Sequence, residues 1–182
     1  MLLILVCLGL ATAAAWRNRH VCLWLWATEY AVLPPRLEMP VTGLELSDTC
    51  SSWHAPRSGG RLHQGADLFA ERGTPVVSAT RGVVWRVGND PLGGRVVWVL
   101  GEGRSLYYYA HLDDWAPGLR SGQRVHAGDA LGDVGNTGNA RTTPPHLHFG
   151  VYRVHLLRVE AVNPLPILAR GREQRPVRRC GG

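Results

Sequence analysis

Lysine is absent from this 182-residue chain: all 20 basic residues are arginine, set against 14 acidic ones, for a formal charge of +6 and a pI near 9.7. Such a balance favours anionic partners, whether nucleic acid, acidic lipid or the polymers of a cell envelope. Specific nucleic-acid binding is disfavoured by further absences. Apart from the C-terminal tail the arginines are scattered rather than gathered on one recognition element, and neither a helix-turn-helix nor a zinc-finger spacing occurs. Cysteine is scarce: Cys7, Cys22, Cys50 and Cys180 are far apart and form no C-x-x-C pair. A Cys50–Cys180 disulfide is allowed in an oxidising compartment, but nothing in the sequence selects it. No repeat is evident and no long amphipathic helix competes, which removes solenoids and helical bundles from consideration.

What remains is a chain with 45% hydrophobic residues, 22 Gly and 12 Pro, the composition of a folded, turn-rich β protein. Its length suits one domain with flanking sequence rather than two domains. Residues 1–15 are uncharged and mostly apolar, end in small residues and are followed by Arg17, Arg19 and His20. They resemble an export signal without its basic start, and they fall short of the ~20 residues that span a bilayer. Val21–Leu33 adds a second apolar, Trp-rich stretch, so residues 1–33 are read as an export signal or a membrane-associated segment. An exported protein of the periplasm, envelope or exterior is expected, with cleavage and anchoring both open. Residues 34–39 form a proline-rich linker, since proline fixes φ and biases its predecessor away from helix. The folded domain is expected over 40–166, and 167–182 as an Arg-rich, disordered tail.

Within the domain, Pro75–Thr80, Gly82–Gly88, Arg95–Leu100, Ser105–His111, Asp129–Gly135 and His146–Val154 read as short strands rich in Val, Trp and Tyr, punctuated by glycine turns. The fold class is therefore mainly β, an antiparallel sheet.

Histidine carries the chemistry. His63 and Asp67 stand in an H-x-x-x-D arrangement, where the surrounding glycines argue for a loop or strand edge rather than a helix. Taken alone, that spacing is common on solvated surfaces. His146 and His148 flank Leu147; in a strand they share one face while Leu147 and Phe149 enter the core. By the same alternation Tyr107, Tyr109 and His111 are expected on one face. Together the motifs supply two His and one Asp as ligands, with further His nearby. That inventory suits a catalytic zinc with an open fourth position, whereas a structural zinc usually takes four ligands including cysteine.

These residues carry a resemblance to the M23 metallopeptidases, the lysostaphin and LytM-type enzymes that cut peptides in bacterial peptidoglycan. It runs in order from Pro40 to Pro164: His63-x-x-x-Asp67, Gly73-Thr74-Pro75-Val76, Tyr109-Ala110-His111-Leu112, Gly135-Asn136-Thr137-Gly138 and His146-Leu147-His148-Phe149. The resemblance implies that His63, Asp67 and His148 ligate Zn²⁺ and that His111 and His146 assist the attacking water and the oxyanion. It also implies an open antiparallel sheet with the metal in a groove. With no H-E-x-x-H glutamate present, histidine must do the proton work. The family often shows Ser-x-x-Gly-x-Arg before the first His; here Ser51–Arg57 lacks the glycine, and Ala140–Pro145 is an atypical insertion. Arg57, His54 and Tyr109 are expected to line the groove. The expected activity is a zinc-dependent endopeptidase acting on stem peptides or cross-bridges of peptidoglycan. The alternative is a non-catalytic wall-binding regulator on the same fold.

Overall fold

The structure is a computed structural model that describes residues 37–155, 158–170 and 178–180. The expected export signal or membrane-associated segment, with Cys7 and Cys22, lies outside them. Among the described residues no helix is long and apolar enough to cross a membrane.

The strands in chain order are β1 (Cys50–Ser51), β2 (Ala66–Phe69), β3 (Pro75–Val77), β4 (Gly82–Asp90), β5 (Gly94–Gly101), β6 (Ser105–Trp115), β7 (Arg124–Val125), β8 (Ala130–Val134), β9 (His146–Val154) and β10 (Val159–Val162). A short helix α1 (Pro164–Leu168) and β11 (Arg178–Arg179) follow. The main sheet is open and antiparallel, running β10-β9-β6-β5-β4-β7. β2 pairs with the first half of β9 and β10 with the second half, so both share one edge of that strand. β8 joins the far end of β6 and carries β3.

Alternation of residues sets the two faces. Val97 and Val99 of β5, Tyr107 and Tyr109 of β6, and Leu147, Phe149 and Val151 of β9 point into one buried cluster. Burying each of these side chains contributes about 1.5–3 kcal/mol. The opposite face holds Val96, Tyr108 and Ala110, with Trp98 and Tyr152 half-buried against them. This second face carries the histidines.

The core extends past both expected boundaries. Leu37 and Met39, at the end of the linker, are 0% and 7% exposed, and the Glu38 N–H donates to the Ala79 carbonyl at 2.8 Å. Beyond β10, the Asn163 side chain accepts from the Leu165 N–H at 3.2 Å, Pro164 opens α1, and Leu165, Ile167 and Leu168 are buried. In the Arg-rich tail, residues 178–180 are fastened to the domain. β11 runs parallel to β1, the Cys180 N–H donates to the Ser51 carbonyl at 3.1 Å, and Cys50 and Cys180 form a disulfide.

One departure from strict alternation shapes the site. His111 has φ +65, and the β5–β6 register slips between Arg95 and Val97, leaving an extra residue on β6. A bulge of this kind bends a strand and re-aims a side chain. Tyr107 and Tyr109 therefore face the core, while Ala110 and His111 both lie on the opposite side.

Candidate metal centre and active site

His63 lies in the irregular run before β2, and its backbone is held at both ends of the residue. Its N–H donates to the Ala55 carbonyl, and its carbonyl accepts from the His54 N–H, both at 2.9 Å. Its Nδ1 sits 3.0 Å from the Ser52 carbonyl and 2.9 Å from the Ser52 hydroxyl. A carbonyl only accepts, so Nδ1 carries the proton and Nε2 carries the lone pair. Asp67 and His148 are Cα partners across β2 and β9, which places their side chains on one face by register alone.

Three donor atoms converge: His63 Nε2, Asp67 Oδ1 and His148 Nδ1 each lie 3.0 Å from the other two. Among the described residues these three form a group able to hold a metal ion. A tetrahedral ion ~2.0 Å from its ligands sets neighbouring donors about 3.3 Å apart, so the triangle needs little adjustment to accept one. The donor chemistry fits as well, two imidazoles and a carboxylate with the lone pair of His63 fixed inward. Arg57 completes the arrangement by donating from Nη2 to Asp67 Oδ2 at 2.6 Å, which leaves Oδ1 to the histidines. Burial pushes the Asp67 carboxyl up, but the close approach of the His148 and His63 imidazoles outweighs it and holds the group well below the usual carboxylate range. His148 is pulled down, chiefly by burial.

His146 and His111 stand beside the triangle. The His146 and His148 side chains share a face of β9, as the H-x-H spacing predicts, and His146 Nε2 is 3.9 Å from Asp67 Oδ1. The His111 and His146 rings are 5.0 Å apart, and His111 is 5.9 Å from His148. Both rings are oriented by the main chain: His146 Nδ1 bonds the Pro144 carbonyl at 2.8 Å and His111 Nδ1 the Thr137 carbonyl at 2.9 Å. Each Nε2 is thereby left as an acceptor. Burial and the nearby His146 and His148 push His111 down to about 4, so it is neutral at physiological pH.

The expected groove residues fare unequally. Arg57 reaches the centre, but as the partner of Asp67. The His54 ring is exposed and stacks on Trp53 at 4.6 Å, while its backbone steadies His63. Tyr109 is not in the groove: it is fully buried, and its hydroxyl accepts from the Ala79 N–H at 2.9 Å. The bulge explains the difference, because it separates Tyr109 from His111 across the sheet.

Several positioning groups were not read from the sequence as such. The Gly135–Gly138 run supplies them: the Gly135 carbonyl accepts from the His146 N–H, Thr137 holds His111, and Asn136 bonds Arg72, which also pairs with Asp113. Gly65 is required by close approach, since a Cβ there would lie 2.5 Å from His148 Cε1. Tyr108 meets the His148 ring edge-on at 5.9 Å.

Comparison with known proteins gives a consistent result. Residues 61–164 match the model of Peptidase family M23. The L-Ala–D-Glu endopeptidase of Bacillus subtilis is 36% identical over 125 residues, 65% of this chain and 38% of the relative. The catalytic domain of lysostaphin from Staphylococcus simulans superposes with a TM-score of 0.53 at 27% identity, covering 66% of this chain and 88% of that one. A zinc-containing peptidase from Vibrio cholerae superposes with a TM-score of 0.50 at 27% identity, covering 66% and 36%. The chain thus spans well under half the length of the Bacillus relative.

Proposed function

Because the chain belongs to peptidase family M23, we propose that it is an exported zinc-dependent endopeptidase that hydrolyses peptide bonds in peptidoglycan. The observation that carries the reading is the convergence of three inward donor atoms beside two imidazoles whose Nδ1 atoms are bonded to main-chain carbonyls, which turns each Nε2 away from them. Similarity to peptidoglycan DD-endopeptidases and to a zinc-containing peptidase supports the substrate class and the ion. The Cys50–Cys180 disulfide agrees with an oxidising compartment.

In this reading His63, Asp67 and His148 hold the zinc, which when bound polarises the scissile carbonyl and acidifies the attacking water. Arg57 fixes the rotation of Asp67 so that one carboxylate oxygen faces the ion. His146 and His111, held by the Pro144 and Thr137 carbonyls, present Nε2 lone pairs that orient water and take its proton. Once protonated, the same Nε2–H is a donor, suited to the developing oxyanion or the leaving amine.

The test is zinc content and release of soluble muropeptides from sacculi, measured on the full chain. His63→Ala is expected to lose both zinc and activity, and His146→Ala to keep zinc while losing about 10²–10⁴ in rate. Wild-type protein that binds zinc and sacculi yet releases nothing overturns the enzyme reading in favour of a wall-binding regulator.

A further inference from the structure

Phe69 is the last residue of β2 and lies 48% exposed, although its ring centroid is only 5.0 Å from that of His146. Strand alternation puts it on the same face as Asp67, two residues earlier, and register makes it the Cα partner of His146. One side of the ring thus rests on an imidazole of the proposed active site, and the other meets water. Leaving an aromatic ring half in water forgoes much of the benefit of burying it.

The two flanks of the centre differ in character. On the His63 flank Arg57 brings a guanidinium to Asp67. On the His146 flank the ring is apolar, and Arg72, three residues along the chain, is tied to Asp113 and Asn136. A substrate segment that approaches His146 from the β2 side meets Phe69. Glycine offers that ring no side chain, and a charged side chain would lose hydration against it without a partner.

We propose that Phe69 is a specificity-determining residue, an apolar wall that selects an apolar residue such as alanine over glycine on the His146 side of the scissile bond. The proposal rests on the endopeptidase reading above. One methyl group against an open wall contributes less than in a closed pocket, so a preference of about fivefold in kcat/KM is expected.

The bond cut in sacculi by the zinc-loaded full chain is identified first by mass spectrometry. Peptide pairs that differ only by alanine or glycine beside that bond are then compared for wild type, Phe69→Ala and Phe69→Leu. The wild type is expected to favour the alanine peptide about fivefold, Phe69→Ala to fall within twofold of parity, and Phe69→Leu to retain most of the preference. An equal loss on both peptides means that Phe69 only steadies His146 and overturns the proposal. A natural bond flanked by glycine or charged residues alone also overturns it, leaving the endopeptidase reading intact. If the wild type cuts no wall peptide, the endopeptidase reading fails first and this inference falls with it.

Discussion

Removing the Cys50–Cys180 bridge should destabilise the domain by an amount that depends on what the tail does afterwards. The two cysteines are 130 residues apart, and cross-linking a loop of that length disfavours the unfolded chain by about 5 kcal/mol in the chain-entropy picture. That value applies only if the reduced native state keeps the tail in place. Among the described residues the tail is otherwise held by a strand pair of two residues on each side, so release is expected once the covalent bond is gone. A released tail regains the freedom of a loop of about 12 residues between α1 and Cys180, and the difference between the two closures is about 2 kcal/mol. A Cys50→Ser/Cys180→Ser double variant should therefore unfold at a Tm lower by about 4–8 °C. Its zinc affinity should fall about tenfold, because Ser52, directly after β1, orients His63. Guanidinium and thermal unfolding with zinc titration measure both quantities. An unchanged midpoint refutes the loop-closure reasoning, and a loss well beyond 5 kcal/mol shows that the tail packs more firmly than its pairing suggests.

Arg57→Ala frees one oxygen of Asp67, so zinc affinity and kcat/KM should each drop about tenfold, with less change in a Lys replacement able to reach the carboxylate; metal titration beside muropeptide release checks this. Gly65→Ala drives a Cβ into the His148 imidazole and the Phe149 carbonyl, so a folded protein with strongly weakened zinc binding is expected, read by circular dichroism and elemental analysis together. Alkaline stability should follow Tyr107 and Tyr109, whose pKa values burial raises well above the ordinary 10. The folded state keeps both phenols neutral while the unfolded chain ionises them, so their contribution is intact below about pH 10 and is lost as pH rises. Above pH 10 the slope approaches about 1.4 kcal/mol per pH unit for each tyrosine, nearly 3 for the pair, and denaturant midpoints between pH 10 and 12 measure it.

The sheet was legible because its strands are made of Val, Tyr and Trp bounded by glycine, and the six expected runs all coincide with observed strands to within a few residues. The edge elements were harder to read. β2 hides in a glycine-rich motif, and β7 and β1 are two residues long, too short for any periodicity. The buried end of the linker shows the same limit: Leu37 and Met39 sit among prolines that argue for an extended connector, and only packing against the finished core reveals them as part of it.

At the site, His146 and His148 were legible because a period of two carries both their spacing and their shared face. His111 was identified by type but not by direction. A left-handed φ in a histidine gives no signal in a pattern of apolar residues, and the resulting bulge sends Tyr109 to the core and His111 to the metal face. The groups that orient the imidazoles are less legible still, for a physical reason. His63, His111 and His146 each give their Nδ1 proton to a main-chain carbonyl, of Ser52, Thr137 and Pro144 respectively. Every residue has such a carbonyl, so no side-chain pattern marks the ones that matter. What the sequence must conserve is the path of three loops, through a disulfide beside Ser52, the Thr137 hydroxyl bonded to the Leu112 carbonyl, and two consecutive prolines before His146. Substitutions that change those paths should disturb the chemistry, and at Ser52 the side chain counts as well, because its hydroxyl stands 2.9 Å from His63 Nδ1.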